Sequence, residues 1–373
     1  MKIRKIDTDN KSDVQRFVRF PFDLYANCPQ WVPPLLSDAT GMLDRQRHPF
    51  FQHSSAGFFI AESEGQVLGR LSVMDHRLYN DFHRSQTAFF GLFEAIEDRQ
   101  VSAALFDAAF DWASQRGLQH MIGPKGLLSS DATGVLVKGF EHRPAMNIPY
   151  NLPYYDFLVQ TSGFTKDTDT FSGYLDQKME IPHRLYELAE KVKARRGFYI
   201  KTFTSKTEMR QWISQVAKVQ QEAFAIFPTY IPFTDQEVAR AADMLIAIAE
   251  PQLIKLVMKE DKVVGFVFAY PDISAALQKC RGRLWPFGWL TILQERKRTQ
   301  WVNVNGVGLL PEYQGLGANV MLYMELLKTL LDSQFLYADI VQVDETNYKS
   351  RSDMEALGVQ FYKTHRNYQR DLP

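Results

Sequence analysis

The alternation of apolar and polar residues predicts one β-hairpin in each half of the chain. Residues 56–79 form two β-rich runs separated by a turn at residues 64–65, and residues 252–272 form two more separated by a turn at residues 261–262. A period of two residues is typical of strands that bury one face. The aromatic and proline-rich stretch at residues 7–36 is expected to be irregular.

Each hairpin is followed by the same predicted order of elements: strand, helix, strand, short helix, strand. In the first half they lie within residues 87–176, and in the second half within residues 301–372, after an insert at residues 273–300. A repeat of this length indicates a duplicated domain, since solenoid repeats are only about 20–50 residues long. We therefore predict an α/β fold, an α+β arrangement with a mixed sheet, in two tandem domains at residues 1–180 and 181–373.

Composition and charge indicate a globular protein of about two domains. The chain has 373 residues, and its 43 basic residues balance 43 acidic ones. A nucleic-acid-binding protein usually carries a basic excess, so we expect no nucleic-acid partner. No run approaches the roughly 18 apolar residues that span a bilayer, and the first residues do not resemble a signal peptide. The two cysteines lie in unrelated contexts, so we expect no disulfide. Together these features predict a cytoplasmic protein without a membrane span.

The segment VNGVGLLPEYQGLGAN, residues 304–319, is predicted to form a strand, a turn and the start of a helix. Such turns often bind phosphate, because helix N-termini present free N–H groups and the positive end of the helix dipole. The dinucleotide fingerprint fails, since Pro311 stands where a glycine is required, and a Walker loop fails, since Gly317 is followed by Ala318-Asn319. The alternative is a tight loop that needs glycine only for positive φ.

The remaining pattern resembles the GCN5-related N-acetyltransferase (GNAT) superfamily in two motifs. The six positions of the family's glycine-containing turn correspond to Gln314, Gly315, Leu316, Gly317, Ala318 and Asn319. The last of these departs from the family, which has glycine or alanine there. A late helix that is opened by asparagine and ends in Leu-Gly-Phe corresponds to Asn347, Leu357, Gly358 and Val359. The resemblance covers residues 198–373.

This resemblance implies that backbone amides of the turn hold the pyrophosphate of acetyl-CoA or another acyl-CoA, used as a co-substrate. The residues expected to bind it are Leu309, Leu310, Gln314, Gly315, Leu316, Gly317, Ala318, Asn319 and Asn347. Gly306 and Gly308 are expected to bulge the strand away from its neighbour, which frees N–H groups for the thioester carbonyl and the pantetheine amides. An amine would then attack the thioester directly in a ternary complex.

Four residues near the expected cleft are candidate catalytic residues: Asn303, Asn305, Asp344 and Tyr362. The asparagines alternate onto one strand face, where they would polarise a water or orient substrate; a solvated face is the alternative. Asp344 is a candidate base, with an exposed loop acid as the alternative. Tyr362 could replace the family's tyrosine, whose position is Met354 here, but an ordinary tyrosine is the alternative. The eight histidines lack ligand spacing, so no metal site is expected.

Three other segments complete the prediction. Residues 98–100 replace the turn in the first half without any glycine, so we expect a degenerate copy that does not bind coenzyme. Residues 125–144 are rich in small polar residues and form either a substrate wall or an ordinary loop. The aromatic residues within 284–290 are flanked by basic residues, and we expect them to pack against the other domain, with a lipid surface as the alternative.

The sequence therefore predicts an acyltransferase that moves an acetyl or other acyl group to an amine on a small molecule or peptide. A peptidyl-, aminoacyl- or long-chain acyltransferase with the same tandem layout is one alternative, since the Fem-type peptidyltransferases and the N-myristoyltransferases resemble it. A non-catalytic acyl-CoA-binding protein is the other.

Overall fold

The computed structural model describes residues 1–179 and 181–372, and these residues contain one sheet that runs through both halves of the chain. Strands β1 to β13 are Lys2–Lys5, Ser55–Ser63, Gln66–Asp75, Thr87–Ala95, His120–Gly123, Val135–Lys138, Thr165–Asp176, Phe198–Lys201, Ile254–Lys259, Lys262–Pro271, Trp301–Leu309, Tyr337–Asp344 and Gln360–Asp371. Helices α1 to α13 are Lys11–Leu24, Leu36–Gly41, Arg77–His83, Arg99–Ser114, Tyr155–Thr161, His183–Arg196, Lys206–Arg210, Ile213–Phe224, Asp235–Ile248, Ser274–Cys280, Gly288–Arg298, Ala318–Leu331 and Tyr348–Ala356.

The two halves exchange their last strands. The strand order is β1-β2-β3-β4-β5-β13-β7-β12-β11-β10-β9-β8, with β6 paired to β13. The last strand of the second half, β13, therefore pairs with β5 of the first half, and β7 of the first half pairs with β12. The two exchanged strands also pair with each other at the centre. The sheet is continuous across the two predicted domains, and Glu180, where the first was predicted to end, lies outside the described residues.

The mixed α/β class and the duplicated order of elements are confirmed. β4 and β5 are parallel, as are β11 and β12, whereas the neighbouring hairpins are antiparallel. The first hairpin turns at Glu64-Gly65 as predicted, and both residues have positive φ. The second turns one residue earlier than predicted, because Lys262 already pairs with Lys259.

The expectation of an irregular stretch at residues 7–36 is wrong for its first part, which is helix α1. Asn10 caps this helix by accepting hydrogen bonds from the N–H groups of Ser12 and Asp13. Pro21 lies inside the helix and has no N–H, so the carbonyl of Phe17 four residues earlier loses its helical partner. That free carbonyl accepts a hydrogen bond from Arg70 at 3.0 Å, which ties α1 to the sheet.

Apolar side chains fill both faces of the sheet. In the second half α12 packs on β9 and β10, and buried residues of α12 join those of β11 and β12 in one cluster. In the first half α4 packs on β2 and β3, while α1 covers another cluster that includes Phe17 and Phe58. The halves are thus built on the same plan, with a helix that follows β4 or β11 packed against the preceding hairpin.

Candidate active site

A β-bulge interrupts β11 at Asn305-Gly306. On β10, Val267 pairs with Val307 and Ala269 with Val304, so the two residues of β11 lie opposite one residue of β10. Gly306 has a φ of 151°, a conformation that side chains rarely adopt. The expected bulge is therefore present.

Gly308 was expected to contribute to this bulge, but it has a different role. It pairs regularly with Phe266 on β10. A Cβ at this position would lie 2.8 Å from the Phe266 ring, so glycine makes room for that ring. Phe266 in turn stacks on Phe268, with ring centroids 4.5 Å apart, on the segment of β10 that faces the bulge.

Beyond the bulge, β11 and β12 separate. Their parallel pairing runs from Trp301 to Val304 on β11, opposite Tyr337 to Ile340 on β12. β11 then continues to Leu309 and β12 to Asp344 without pairing to each other. The diverging strands open a cleft, and the backbone on this side of β11 is available to hydrogen-bond a ligand.

The predicted phosphate turn leads directly into α12. Gly315 has a φ of 73° and nothing within 4 Å of where its Cβ would lie, so the turn has open space on that side. Gly317 is the N-cap residue with a φ of 85°, and no side chain caps the helix. Positive φ at both positions explains the glycines with or without a ligand. The uncapped N–H groups are the feature that suits an anion.

Neighbouring residues hold this turn in place. A Cβ at Gly317 would lie 2.6 Å from Cγ2 of Val192, because α6 packs directly against the turn. The Asn319 side chain donates to Oδ2 of Asp353 at 2.6 Å, which ties the unusual sixth residue of the motif to α13. Gln314 accepts a hydrogen bond from the Lys349 ammonium at 3.3 Å, so a cation adjoins the turn.

The first half contains the same bulge without the open helix terminus. Leu92 and Phe93 of β4 lie opposite one residue of β3, and Leu92 has a φ of 47°. The following helix, α4, is capped by Asp98, whose carboxylate accepts a hydrogen bond from the N–H of Gln100. The first half thus lacks the glycine turn, and the Asp98 side chain occupies an N–H group of α4 and adds negative charge at that helix terminus.

A cavity of roughly 1080 Å³ connects the two bulges. At one end its wall includes Asn305 and Gly306, and at the other end Leu92 and Phe93. Residues within 125–135 of the predicted substrate wall also line it, so the substrate-wall alternative stays a prediction. Helices α8, α9 and α12 and strand β12 contribute further apolar side chains to the wall.

The candidate catalytic residues fall into two groups. Asn305 and Asp344 line the cavity, as does Asn347, and Asn305 donates to the Tyr270 hydroxyl at 2.9 Å. Asn303 and Tyr362 do not line it. The catalytic roles of all four stay predictions.

Asn303 and Tyr362 belong instead to buried polar contacts within the second half. Asn303 donates to Asp272 at 3.2 Å, and Tyr362 donates to Asp339 at 2.9 Å. The Lys363 ammonium donates to the Tyr362 hydroxyl at 2.9 Å. Burial raises the pKa of Asp339 to about 6 and lowers the pKa of Lys363 to about 8. The contacts involve β11, β12, β13 and Asp272, which directly follows β10.

The turn residues that the resemblance assigned to coenzyme binding lie outside the cavity wall. They are Leu309, Leu310, Gln314, Gly315, Leu316, Gly317, Ala318 and Asn319. Asn347 caps α13 by accepting a hydrogen bond from the N–H of Ser350, in agreement with its predicted place at a helix start. On β11 the cavity wall ends at Val307, two residues before Leu309.

Sequence reasoning missed a buried polar cluster at the far end of the cavity. Glu94 accepts hydrogen bonds from Tyr25 at 2.5 Å and from Tyr155 at 2.6 Å, and its other oxygen is 3.9 Å from Arg70. Burial raises the pKa of Glu94 and lowers that of Arg70. Both side chains line the cavity. Charged residues in the middle of apolar strands were the available signal.

Lys125 is a second group that the sequence did not reveal. Its ammonium lies 5.2 Å from the centre of the Phe89 ring and donates to the carbonyl of Thr229 at 3.2 Å. Burial lowers its pKa to about 8. Lys125 and Asp344 both line a side pocket of roughly 130 Å³ beside the main cavity.

Among residues 1–179 and 181–372, no helix is long and apolar enough to cross a bilayer. Nor do they contain a group of three or more histidine, cysteine or acidic side chains arranged to hold a metal ion.

Solved structures define the class of fold. A tandem GNAT protein from the clavulanic acid biosynthesis pathway matches with a TM-score of 0.59 at 13% identity, covering 100% of this chain and 98% of that chain. A GCN5-related N-acetyltransferase from Sphaerobacter thermophilus matches with a TM-score of 0.51 at 12% identity, covering 100% and 95%. The chain therefore has a tandem GNAT-like fold, and the resemblance inferred from its two motifs is confirmed at the level of fold.

Curated relatives match at higher identity. Protein YghO of Escherichia coli is 27% identical over 97% of this chain and 94% of its own length. A bacterial ceramide synthase of Caulobacter vibrioides is 26% identical over 98% and 97%. No family profile matches the chain. With the fold, these relatives are compatible with a general acyltransferase role.

Proposed function

We propose that the protein transfers a long acyl chain from acyl-CoA to the amino group of a long-chain amine. The observation that carries this proposal is the cavity of roughly 1080 Å³ between the two bulges. Pockets for a whole drug-sized ligand are about 300–1,000 Å³, so an acetyl group would leave most of this space empty. Two alkyl chains are the ligands that a large apolar cavity suits.

The donor side of the proposed site is the second half. The uncapped N-terminus of α12 and the open space at Gly315 fit a pyrophosphate, and Lys349 supplies a nearby cation. The cleft between β11 and β12 leads from this turn to the bulge. We assign the backbone N–H groups at Asn305-Gly306 to the negative charge that the thioester carbonyl would develop, and one such donor typically contributes about 2.7–4 kcal/mol.

The proposed reaction is direct aminolysis. The amine nitrogen attacks the thioester carbonyl carbon, the carbon–sulfur bond breaks, and the products are an amide and the coenzyme A thiolate. The attacking nitrogen loses a proton, which the leaving thiolate ultimately gains. Asp344, on the cavity wall, is the proposed first acceptor of that proton. Its Oδ1 already accepts hydrogen bonds from the N–H and hydroxyl of Thr346, so Oδ2 is the atom assigned this role.

A relative's name supports the choice of substrates. The protein of Caulobacter vibrioides is named a bacterial ceramide synthase, and it aligns with nearly the whole chain. A ceramide is a fatty-acid amide of a long-chain amino alcohol, so its formation requires room for two alkyl chains. The cavity of this protein offers such room, and on that basis we propose the same chemical class of substrates for it.

Release of free coenzyme A thiol tests the proposal. Acetyl-CoA and palmitoyl-CoA are each offered with sphinganine or with a short amine, and the amide is identified by mass spectrometry. We expect amine-dependent thiol release that is at least tenfold faster for palmitoyl-CoA with sphinganine than for acetyl-CoA with the short amine. Equal rates would contradict long-chain specificity. Absence of thiol release with every pair, despite measurable binding of coenzyme, would favour a non-catalytic acyl-CoA-binding protein.

A further inference from the structure

The insert between β10 and β11 ends in a segment that leaves large apolar side chains in solvent. We call residues 281–298 the docking segment; it comprises a loop and helix α11. Its exposed apolar residues are Leu284, Trp285, Phe287, Trp289, Leu290 and Leu293. The expectation that these aromatics pack against the other domain is therefore wrong for the most prominent two, since Trp285 is 82% exposed and Phe287 is 71% exposed.

The exposed apolar residues of α11, which are Trp289, Leu290 and Leu293, lie within one arc of about 100° around the helix. On α11, Trp289 and Leu293 are four residues apart, so they share a helix face. Ile292, three residues after Trp289, borders this face and packs with the buried cluster that contains Tyr270 and Ile273. Ile292 thus fixes α11 to the protein, whereas Trp289 is 45% exposed and Leu293 is 46% exposed. Single exposed apolar residues are ordinary, but a contiguous patch marks an interaction surface.

Positive charges border this patch. Arg281, Arg283, Lys297 and Arg298 are exposed, and none of them forms a salt bridge within the described part of the chain. Lys297 follows Leu293 by four residues and so extends the same helix face. Aromatic and aliphatic side chains bordered by Lys and Arg are the combination that binds the interface of an anionic bilayer. The positive charge of the docking segment therefore favours an acidic lipid surface over an apolar protein groove as its partner.

The docking segment adjoins the wall of the cavity. Helix α10, which immediately precedes it, contributes Leu277 to the cavity lining, and Ile273 lies at the same wall. The segment also contacts the first half, where Leu36 donates its N–H to the carbonyl of Gly282 at 2.9 Å. Residues 31–35 of that neighbouring stretch line the cavity as well. A bilayer bound at the docking segment would therefore lie beside the cavity.

We propose that residues 281–298 bind the surface of an anionic lipid bilayer and hold the cavity close to membrane-dissolved substrates. Trp285, Phe287 and Trp289 insert among the lipid headgroups and acyl boundary, while the four cations contact acidic headgroups. The entry of lipophilic substrates from the bilayer rests on the proposed function. Binding of the segment to lipid does not, because it is measured without turnover.

Vesicle co-sedimentation of the full chain tests this binding. Phosphatidylcholine vesicles are compared with vesicles that also contain about one-third phosphatidylglycerol. We expect clear binding to the acidic vesicles that weakens at high salt, and a loss of about fivefold in affinity for each cation removed. The double variant Trp285→Ser/Phe287→Ser is expected to bind at least tenfold more weakly. Because both side chains are exposed, circular dichroism and the melting temperature should not change.

Matched variants elsewhere on the surface distinguish binding by the docking segment from non-specific adsorption of the protein to vesicles. Phe157→Ser removes a 53% exposed aromatic from α5, and Lys2→Gln/Lys5→Gln removes two exposed cations from β1. These controls should bind vesicles like the wild type. Equal binding by wild type and Trp285→Ser/Phe287→Ser would overturn the proposal. It would also be overturned if the double variant converted a dimer to a monomer in sedimentation velocity with vesicle binding unchanged, because a second copy would then be the partner of the patch.

Failure of lipid binding and failure of the proposed acyl transfer give different results. The double variant should keep its activity toward detergent-dispersed palmitoyl-CoA and sphinganine, while losing activity toward sphinganine supplied in vesicles. If the wild-type protein bound vesicles but released no thiol, the proposed acyl transfer would be refuted and the proposed lipid binding would stand.

Discussion

Asp98 accepts a hydrogen bond from the N–H of Gln100 at 2.7 Å, and by this contact the first half closes the helix terminus that the second half leaves open. In the second half the corresponding residue is Gly317, which has no side chain to offer. An acidic cap and an anion compete for the same N–H groups. One acyl-CoA is therefore expected to bind per chain, at α12.

A negative charge can be introduced at the turn before α12 without a change in the backbone conformation of the turn. Gly315 lies at a φ of 73°, where asparagine and aspartate are tolerated better than other side chains, and has open space around it. Gly315→Asp should bind coenzyme A at least tenfold more weakly than Gly315→Asn, because only the charge differs. Isothermal titration calorimetry measures this. Asp98→Asn in the first half is the control, and altered affinity there would contradict a single site at α12.

The preferred acyl length should depend on the volume of the cavity. Ala217 on α8 lines the cavity, so Ala217→Phe should lower kcat/KM for palmitoyl-CoA at least tenfold and leave that for acetyl-CoA within about twofold. Steady-state thiol release measures both. Ser214→Phe adds the same ring to the exposed side of the same helix and should change neither. Equal losses with both donors would show that the ring disturbs the fold rather than the acyl site.

The cluster at the first-half bulge should matter for stability. Glu94 and Arg70 are both buried, so Glu94→Gln leaves the guanidinium without its counter-charge and should lower the free energy of unfolding by about 3 kcal/mol. Urea denaturation measures the change. Adding Arg70→Met should restore only part of it, since the unpaired charge is then removed but the carbonyl of Phe17 loses its hydrogen bond. Exposed Glu97→Gln should change stability by less than about 0.5 kcal/mol.

The buried Asp339 predicts a pH dependence of stability. Burial raises its pKa from 3.8 to about 6, so the folded state holds a proton that the unfolded state releases. The stabilisation is complete below pH 3.8 and is lost as the pH rises through 6. Relative to Asp339→Asn, the wild type should therefore lose up to about 3 kcal/mol between pH 4 and pH 7. Denaturant titrations across this range measure it, and a constant difference would contradict the raised pKa.

The elements of this fold are largely encoded in local patterns. The hairpins, the capping box that begins α9 at Thr234 and the Asn347 cap of α13 all follow from residues a few positions apart. The helix of residues 11–24 was not predicted, because its stretch is rich in aromatic residues and proline. A tertiary contact from Arg70 compensates for the hydrogen bond lost at Pro21. Such compensation involves residues far apart in sequence, and no local pattern reports it.

By itself, then, the sequence determined the duplicated α/β plan, the bulge at Gly306 and the open glycine turn before α12, because strand period, backbone freedom and helix capping act over short distances. Only the tertiary structure decided that β7 and β13 change places, that Asn303 and Tyr362 form buried polar contacts, and that Glu94 shares a cavity with Asn305. Those outcomes depend on which surfaces pack together across the whole chain. Packing also left Trp285 exposed to solvent, although the sequence pattern predicted that it packs against the other domain.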